Sequence, residues 1–347
     1  MANPGSLETS TSIMSRRDPD FYIEDGNIVL SAKDSNEKCT IYFRIHKSTL
    51  VKNSPEVFGN MFAMPPPPTM DKYDGVPLVE MPDDAKSLRE FIAILYDPQC
   101  MSALLQAEPE DFTLKMLGPV QLAKKYQVDW ICKLVASQLQ KIWPTTLLSW
   151  DIIAKDEAEG RLRRVGAWDP DYEDESLRLR HLPEPVSSII LARECDVPSI
   201  LPLAFLHLLR FPFEPEEQEV QYANPFYPWK VPERALLSQR DWERLGLARE
   251  RIAKWFIHWG PNAKGWKYCG TAGMRCEAVT LRTWLHIASD MDLDGNALNL
   301  EPRIRAMKCD DGICSSCGQR LANEFWWLLA EFFDKLVYFF QLDDDAE

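Results

Sequence analysis

An α+β fold, with a short mixed sheet first and helices after it, is what this sequence predicts, and three observations carry the expectation. Residues 39–46 read CTIYFRIH, where Ile41, Phe43 and Ile45 alternate with Thr40, Tyr42 and Arg44, the period of a half-buried strand. The alternation stops at His46, and Leu50, Val51, Val57, Phe58, Met61 and Phe62 then recur at helical spacing. From there to the C-terminal end, apolar stripes of helical period dominate, with no internal repeat.

Taken in order, FYIEDGNIVLSA (21–32) sets a turn signal, Asp25-Gly26, before the apolar run Ile28-Val29-Leu30, and pairs with 39–46 as an antiparallel hairpin. Ser54-Pro55 opens a second short helix, because proline's fixed φ and missing N–H suit the first turn. MPPPPTMDKYDG (64–75) is expected as a loop and VPLVEM (76–81) as a third strand. Asp83 or Asp84 caps AKSLREFIAILY, whose Leu88, Phe91, Ile92 and Leu95 form one stripe. Helices follow near 110–126 and 128–142, the second carrying Trp130, Ile131, Leu134, Val135 and Leu139. Residues 155–184 read as charged and irregular, and 185–210 as a helical hairpin broken at Asp196-Val197-Pro198. In that hairpin Ser199 is the expected N-cap and Pro202 falls in the first turn of the second helix. A proline-rich loop spans 211–234, and a capping-box pattern from Ser238 to Asp241 opens a helix bearing Trp242, Leu245, Ile252, Trp255 and Phe256. Helices near 277–289 and 319–342 complete the order.

The 347 residues predict two or three domains, and 46% hydrophobic with 27% charged residues is the balance of a folded protein. Net charge is −14, of which the first 150 residues carry −4 and the remaining 197 carry −10. Neither part has the basic footprint of a nucleic-acid or membrane-surface binder. Residues 1–17 contain no apolar signal core and are expected as a disordered leader, and 343–347 as an acidic tail. The most apolar stretch, FWWLLAEFFDKLVYFFQL (325–342), includes Glu331, Asp334 and Lys335, so it reads as a buried helix or a partner-binding face, not a membrane span. Nine cysteines without a secretory signal predict an intracellular, reducing compartment, nuclear or cytoplasmic, where clustered thiols point to metal before disulfide.

Phe43, Ile45, His46, Lys47, Leu50, Ser54, Val57, Phe58, Met61 and Phe62 resemble the strand-to-helix signature of the BTB/POZ family. The resemblance covers about residues 18–142 and implies a BTB/POZ domain over 18–145, a linker over 146–184 and an α-helical domain over 185–342. The second half is similar to the BTB proteins that fungi possess in large families, whose helical region ends in a CxxC and an aromatic helix. What the resemblance implies is association through helices and sheet edges near the N-terminus, as a homodimer or by holding other proteins. It also implies that His46 is structural. One role the family often supplies is substrate adaptor of a cullin-type E3 ubiquitin ligase, with a hydrophobic-x-Glu motif after the Met-Phe helix. Here the nearest match, Met70-Asp71-Lys72, ends in Lys. The other role is a scaffold or transcription-associated partner without direct contact to nucleic acid.

Two constellations point to metal. Cys314 and Cys317 have knuckle spacing, and Cys269 and Cys276 supply a second pair, with Cys309 as a spare. Two thiolate pairs suit the tetrahedral demand of zinc, and four thiolates make a closed structural site. The same cysteines also fit buried or surface thiols. DMDLDGNALNLE (290–301) matches the calcium-loop pattern, with Asp290, Asp292, Asp294, Asn296 and Glu301 as ligands. Against it stand Ala297 and Leu298, the helix-breaking Pro302 and the lack of a second such loop, which favour an acidic solvated turn. No phosphate-binding glycine loop, triad pattern or H-E-x-x-H occurs, so a non-enzymatic interaction protein is expected, with a metal-dependent enzyme in the C-terminal half as the rival.

Overall fold

The alternating segment forms a strand, β3 (Cys39–Ile45), because its inward residues Ile41, Phe43 and Ile45 are all buried. It pairs antiparallel with β2 (Ile28–Asp34), in register from Ile28 opposite Ile45 to Asp34 opposite Cys39. A computed structural model describes residues 14–34, 38–65, 69, 71–97, 99, 101, 109–150, 152–153, 182–209, 211, 232–262, 276 and 314–343. These belong to two compact units: one of Met1–Ala107 with Lys115–Val135, the other of Glu108–Leu114 with Ala136–Glu347. The fold is mixed α+β, as predicted.

In the first unit the sheet has five strands in the order β1-β3-β2-β5-β4. β1 (Met14–Tyr22) runs parallel to β3, β5 (Val76–Asp84) runs parallel to β2, and β4 (Lys72–Tyr73) pairs antiparallel with β5. β1 starts inside the segment expected as a disordered leader. Met14 to Arg17 are exposed, so no apolar period announces the strand. It is held instead by the ladder to β3 and by the buried Asp18 carboxylate, which accepts from the N–H groups of Asp20 (3.0 Å) and Phe21 (2.9 Å) and from Arg89 Nε (3.1 Å).

The two edges of the sheet are drawn together. Asp74 and Gly75, at φ +49° and +76°, make the two-residue turn between β4 and β5, a geometry open to Asp and Gly. The Asp74 carboxylate accepts from Arg17 and from the Tyr22 hydroxyl, both on β1 at the opposite edge. Tyr73 stacks on Tyr42 at 4.1 Å, and Arg17 lies over the Tyr22 ring at 4.6 Å. Burial, and then the bond to Asp74, push the Tyr22 hydroxyl up to about 12. The predicted loop 64–75 therefore contains a strand and the clasp that curls the sheet.

Helices cover the other face. α1 (Lys47–Asn53), a π-helical turn (Pro55–Gly59) and α2 (Asn60–Ala63) follow His46. The buried Ser54 hydroxyl donates to the Tyr126 carbonyl. α3 (Ala85–Tyr96) is capped by Asp84, which accepts from the N–H groups of Lys86 (3.1 Å) and Ser87 (3.3 Å) and settles the choice between Asp83 and Asp84. All four stripe residues of α3 are buried. α4 (Pro109–Lys125) and α5 (Asp129–Ile142) complete the unit, with Trp130 Nε1 donating to Asn53 Oδ1 at 3.1 Å.

The unit boundary falls within α4 and α5, ahead of the expected position at 145. Thr113 of α4 and Trp143, the residue after α5, show the reason: Ser187 Oγ donates to Thr113 Oγ1 at 2.8 Å, and Trp143 meets His207 edge-on at 6.0 Å, all four within the second unit. The end of the expected linker also belongs there. Glu184, itself buried, caps α6 (Pro185–Glu194) by accepting from the N–H groups of Val186 (3.0 Å) and Ser187 (2.6 Å). After the break at Asp196 (φ +56°), a 3-10 turn (Pro198–Ile200) leads straight into α7 (Leu201–Leu209). Ser199 thus sits inside that turn and is not the cap; Val197 holds the N-cap position with no side-chain bond.

α8 (Gln239–Asn262) is capped by Ser238, whose Oγ accepts from the Asp241 N–H (3.2 Å), and the Asp241 carboxylate reaches back to accept from the Ser238 hydroxyl (2.7 Å) where a full capping box would use the backbone N–H. Arg193 makes a two-pronged contact to the same carboxylate (2.9 and 2.6 Å), and Arg244 stands 3.4 Å away while donating to the Gln341 carbonyl. Burial would raise the Asp241 carboxyl, but the bonds from Arg193 and Ser238 and the two arginine charges outweigh it and hold it low. The aromatic helix is two helices, α9 (Ser315–Asp334) and α10 (Leu336–Phe340), parted at Lys335. Phe332, Phe339 and Phe340 are buried, with Phe205 stacked on Phe340 at 5.4 Å, whereas Trp327 is 73% exposed. Among the described residues no helix is long and apolar enough to cross a membrane. The helix expected near 277–289 and most of the loop expected over 211–234 lie outside the described residues.

A Cβ added at Gly118 would fall 2.7 Å from Ser87 Oγ and 2.9 Å from its Cβ. Ala in a helix interior normally gains up to about 1 kcal/mol over Gly, but overpacking costs about 1–3 kcal/mol, so Gly118→Ala is predicted to destabilise the first unit in urea denaturation. Asp241→Asn removes the carboxylate charge that faces Arg193 and Arg244 and is predicted to cost about 3 kcal/mol in the second unit. The folded value of Asp241 lies below the unfolded one, about 3.9. Its stabilisation is therefore complete above that pH and fades as pH falls through it, and urea midpoints measured from neutral pH downward should show this slope in the native chain and lose part of it in Asp241→Asn.

Candidate metal centre

The CSSC spacing acquires its meaning from where α9 begins. Cys314 is the N-cap, with extended backbone (φ −74°, ψ 154°), and Cys317 is the third residue of the helix. Both sulfurs therefore sit at the first turn, where the backbone N–H groups lack intrahelical partners and the helix dipole favours negative charge. Cys276 is brought to the same place from 38 positions upstream: its Sγ accepts from the Cys314 N–H at 3.2 Å. The Sγ atoms of Cys276, Cys314 and Cys317 all lie within 4.8 Å of one another. Cys276 and Cys314 are buried, Cys317 is half-buried, and none of the three is in a disulfide.

Three thiols this close are near enough to bind one metal ion. Thiolate ligands at about 2.3 Å from a tetrahedral ion stand roughly 3.8 Å apart, so small rotamer changes bring these sulfurs to ligand spacing. The helix N-terminus and the N–H···S bond both favour the thiolate, the form that binds metal. Of the predicted four, the structure brings together Cys276, Cys314 and Cys317. Cys269 and the spare Cys309 lie outside the described residues, as do the calcium-loop candidates Asp290, Asp292, Asp294, Asn296 and Glu301.

The residues of the strand-to-helix signature divide by burial. Phe43, Ile45, Leu50, Ser54 and Phe58 are buried, whereas His46, Val57, Met61 and Phe62 are half-exposed. Phe62 stacks on Phe58 at 6.1 Å and carries the Lys47 ammonium over its ring at 5.3 Å. Met64, one residue beyond α2, is exposed.

His46 is a junction. The Tyr96 hydroxyl accepts from the His46 backbone N–H at 2.8 Å and lies 2.9 Å from His46 Nδ1, while Nε2 stands 3.2 Å from Asp25 Oδ1. In the neutral ring this arrangement has the Tyr96 O–H donating to Nδ1 and Nε2–H donating to Asp25, which fixes the tautomer. One imidazole thereby joins the turn before β2, the start of α1 and the end of α3. Asp25 and Tyr96 were not singled out as partners from the sequence, since Asp25 is marked there only as a turn residue and Tyr96 lies some seventy residues away. In the loop after α2, Lys72 belongs to β4 and the Asp71 carbonyl accepts from Leu78 N–H at 2.8 Å, so the Met70-Asp71-Lys72 match is partly built into the sheet.

With cobalt(II) as a spectroscopic probe, the reduced full-length chain is expected to show thiolate-to-metal charge transfer in the near ultraviolet. Cys276→Ser and Cys314→Ser should each weaken it strongly, and an unchanged spectrum in both would remove these residues from the metal site. Comparison of the chain with known protein families, with curated proteins and with solved structures finds no match.

Proposed function

We propose that this chain is a non-enzymatic protein–protein interaction protein, whose first unit is an association domain of BTB/POZ type and whose helical second unit is braced by structural zinc. One observation carries the association reading: Val57, Met61 and Phe62, on the π-helical turn and α2, are only partly buried, and Met64, the residue after α2, is exposed. The sheet edges are poorer sites for pairing. β1 contains Pro19, which has no N–H to offer, and its ladder is irregular between Arg17 and Tyr22. β4 is two residues long. Association therefore falls to the helical stretch, with a second copy of the chain as the first partner. The Lys at position 72, held in β4, weakens the reading as a cullin-type ligase adaptor.

Zinc is the ion that suits thiolates grouped in this way, and a fourth thiolate, from Cys269 or Cys309, would close the site against substrate water. Its work would be to tie Cys276 to the start of α9. This supports a bracing role over that of a catalytic metal.

Light scattering of the full chain over a concentration series is expected to give a mass approaching twice the 40.0 kDa of one chain. Met61→Asp with Met64→Asp should raise the dissociation constant at least about tenfold, the loss of some 1.4 kcal/mol, while circular dichroism stays unchanged. A native chain that remains monomeric at high concentration would refute the homodimer.

A further inference from the structure

The same cysteines differ in one respect that the bracing role does not use. Cys276 and Cys314 are buried, whereas Cys317 is half-buried at the first turn of α9. We propose that Cys317 is a peroxide-reactive modification site, and that its oxidation closes a Cys314–Cys317 disulfide and dismantles the metal site; this rests on the zinc reading above. The geometry provides both requirements. Cys317 is the least buried residue of the three and sits at a helix N-terminus, the setting of reactive thiolates. Cys314, at the N-cap three residues earlier, supplies a resolving sulfur within 4.8 Å. An N-cap residue and the third residue of its helix have Cα atoms about 5–6 Å apart, inside the range that a disulfide spans.

The electron count closes with hydrogen peroxide as the oxidant. The Cys317 thiolate attacks one peroxide oxygen, the O–O bond breaks, and hydroxide leaves to take up a proton as water. The Cys314 thiolate then attacks the Cys317 sulfur, the S–S bond forms, the S–O bond breaks, and a second hydroxide leaves as water. Two thiolates are oxidised to one disulfide and one peroxide is reduced to two waters, with two protons consumed. With two ligands lost, the ion is released and Cys276 is no longer tied through it to α9. The brace then reports the oxidation state of its compartment, and a dithiol reductant reverses the change.

The test uses the full chain, reduced, zinc-loaded and freed of excess metal. Its zinc is measured, and a small excess of hydrogen peroxide is added with a chromogenic chelator present. Tandem mass spectrometry then maps the links, with fragmentation between residues 309 and 314 separating Cys309 from the pair. The expected result is release of the bound zinc together with a Cys314–Cys317 link, both reversed by dithiothreitol and fresh zinc. Zinc retained under peroxide, or zinc released with Cys317 carried to sulfinic acid and no link to Cys314, overturns this inference alone. A reduced chain that holds no zinc before peroxide overturns the zinc reading and this inference with it. Cys195→Ser, a substitution outside the cluster, should release zinc as the native chain does; protection by that variant would also count against Cys317.

Discussion

The first unit depends on the register of one hairpin. Because side chains alternate with period two, a slip of a single residue between β2 and β3 would turn Ile41, Phe43 and Ile45 to the other face and bring Tyr42 and Arg44 inside. Burial of Phe43 and Ile45 at 0% exposure makes that slip prohibitive, and the next elements inherit the result. His46 leaves β3 at a fixed point, so Leu50 and Phe58 arrive over the core and Val57, Met61 and Met64 are left outward. The surface assigned to association is thus a by-product of where a strand must end. The Asp74 clasp acts on the same sheet from its edges, joining β1 to the β4–β5 turn through Arg17 and Tyr22 and leaving little open edge for another chain.

In the second unit, buried polar groups tie helices together beside an apolar core. The Asp241 carboxylate gathers Ser238, Arg193 and Arg244, which belong to or adjoin different helices, and Arg244 passes the connection on to the carbonyl of Gln341. Glu184 does similar work for the start of α6. Around these sit the aromatic contacts of Phe205, Phe332, Phe339 and Phe340. A thiol cluster at the start of α9 fits this plan. It would add a link from Cys276 to the start of α9.

Much of the first unit could be read in advance where periodicity carried the information. The β2–β3 pair, β5, the stripe of α3 and the helices near 110–126 and 128–142 all follow from apolar spacing, and the Ser238–Asp241 cap follows from capping chemistry. β1 could not be read that way, because its stability resides in a backbone ladder and in Asp18, while its first four residues are exposed and show no apolar alternation. The clasp was hidden because Asp74 meets Arg17 and Tyr22 from more than fifty residues away. Ser199 misled because Pro198 starts a 3-10 turn one residue earlier, and the single aromatic helix became two because the backbone at Lys335 interrupts it. In the metal site, the CxxC was legible by spacing. That Cys276 joins it was an expectation of pairing, since 37 residues separate it from Cys314.

The association proposed for this chain rests on the stretch from Val57 to Met64. Hydrogen–deuterium exchange of the full chain, followed as concentration rises, tests it most directly. Amides of residues 57–64 are expected to slow with increasing concentration while those of the buried β2–β3 hairpin, already protected, do not change. Exchange in 57–64 that is independent of concentration, with new protection elsewhere or nowhere, would contradict it.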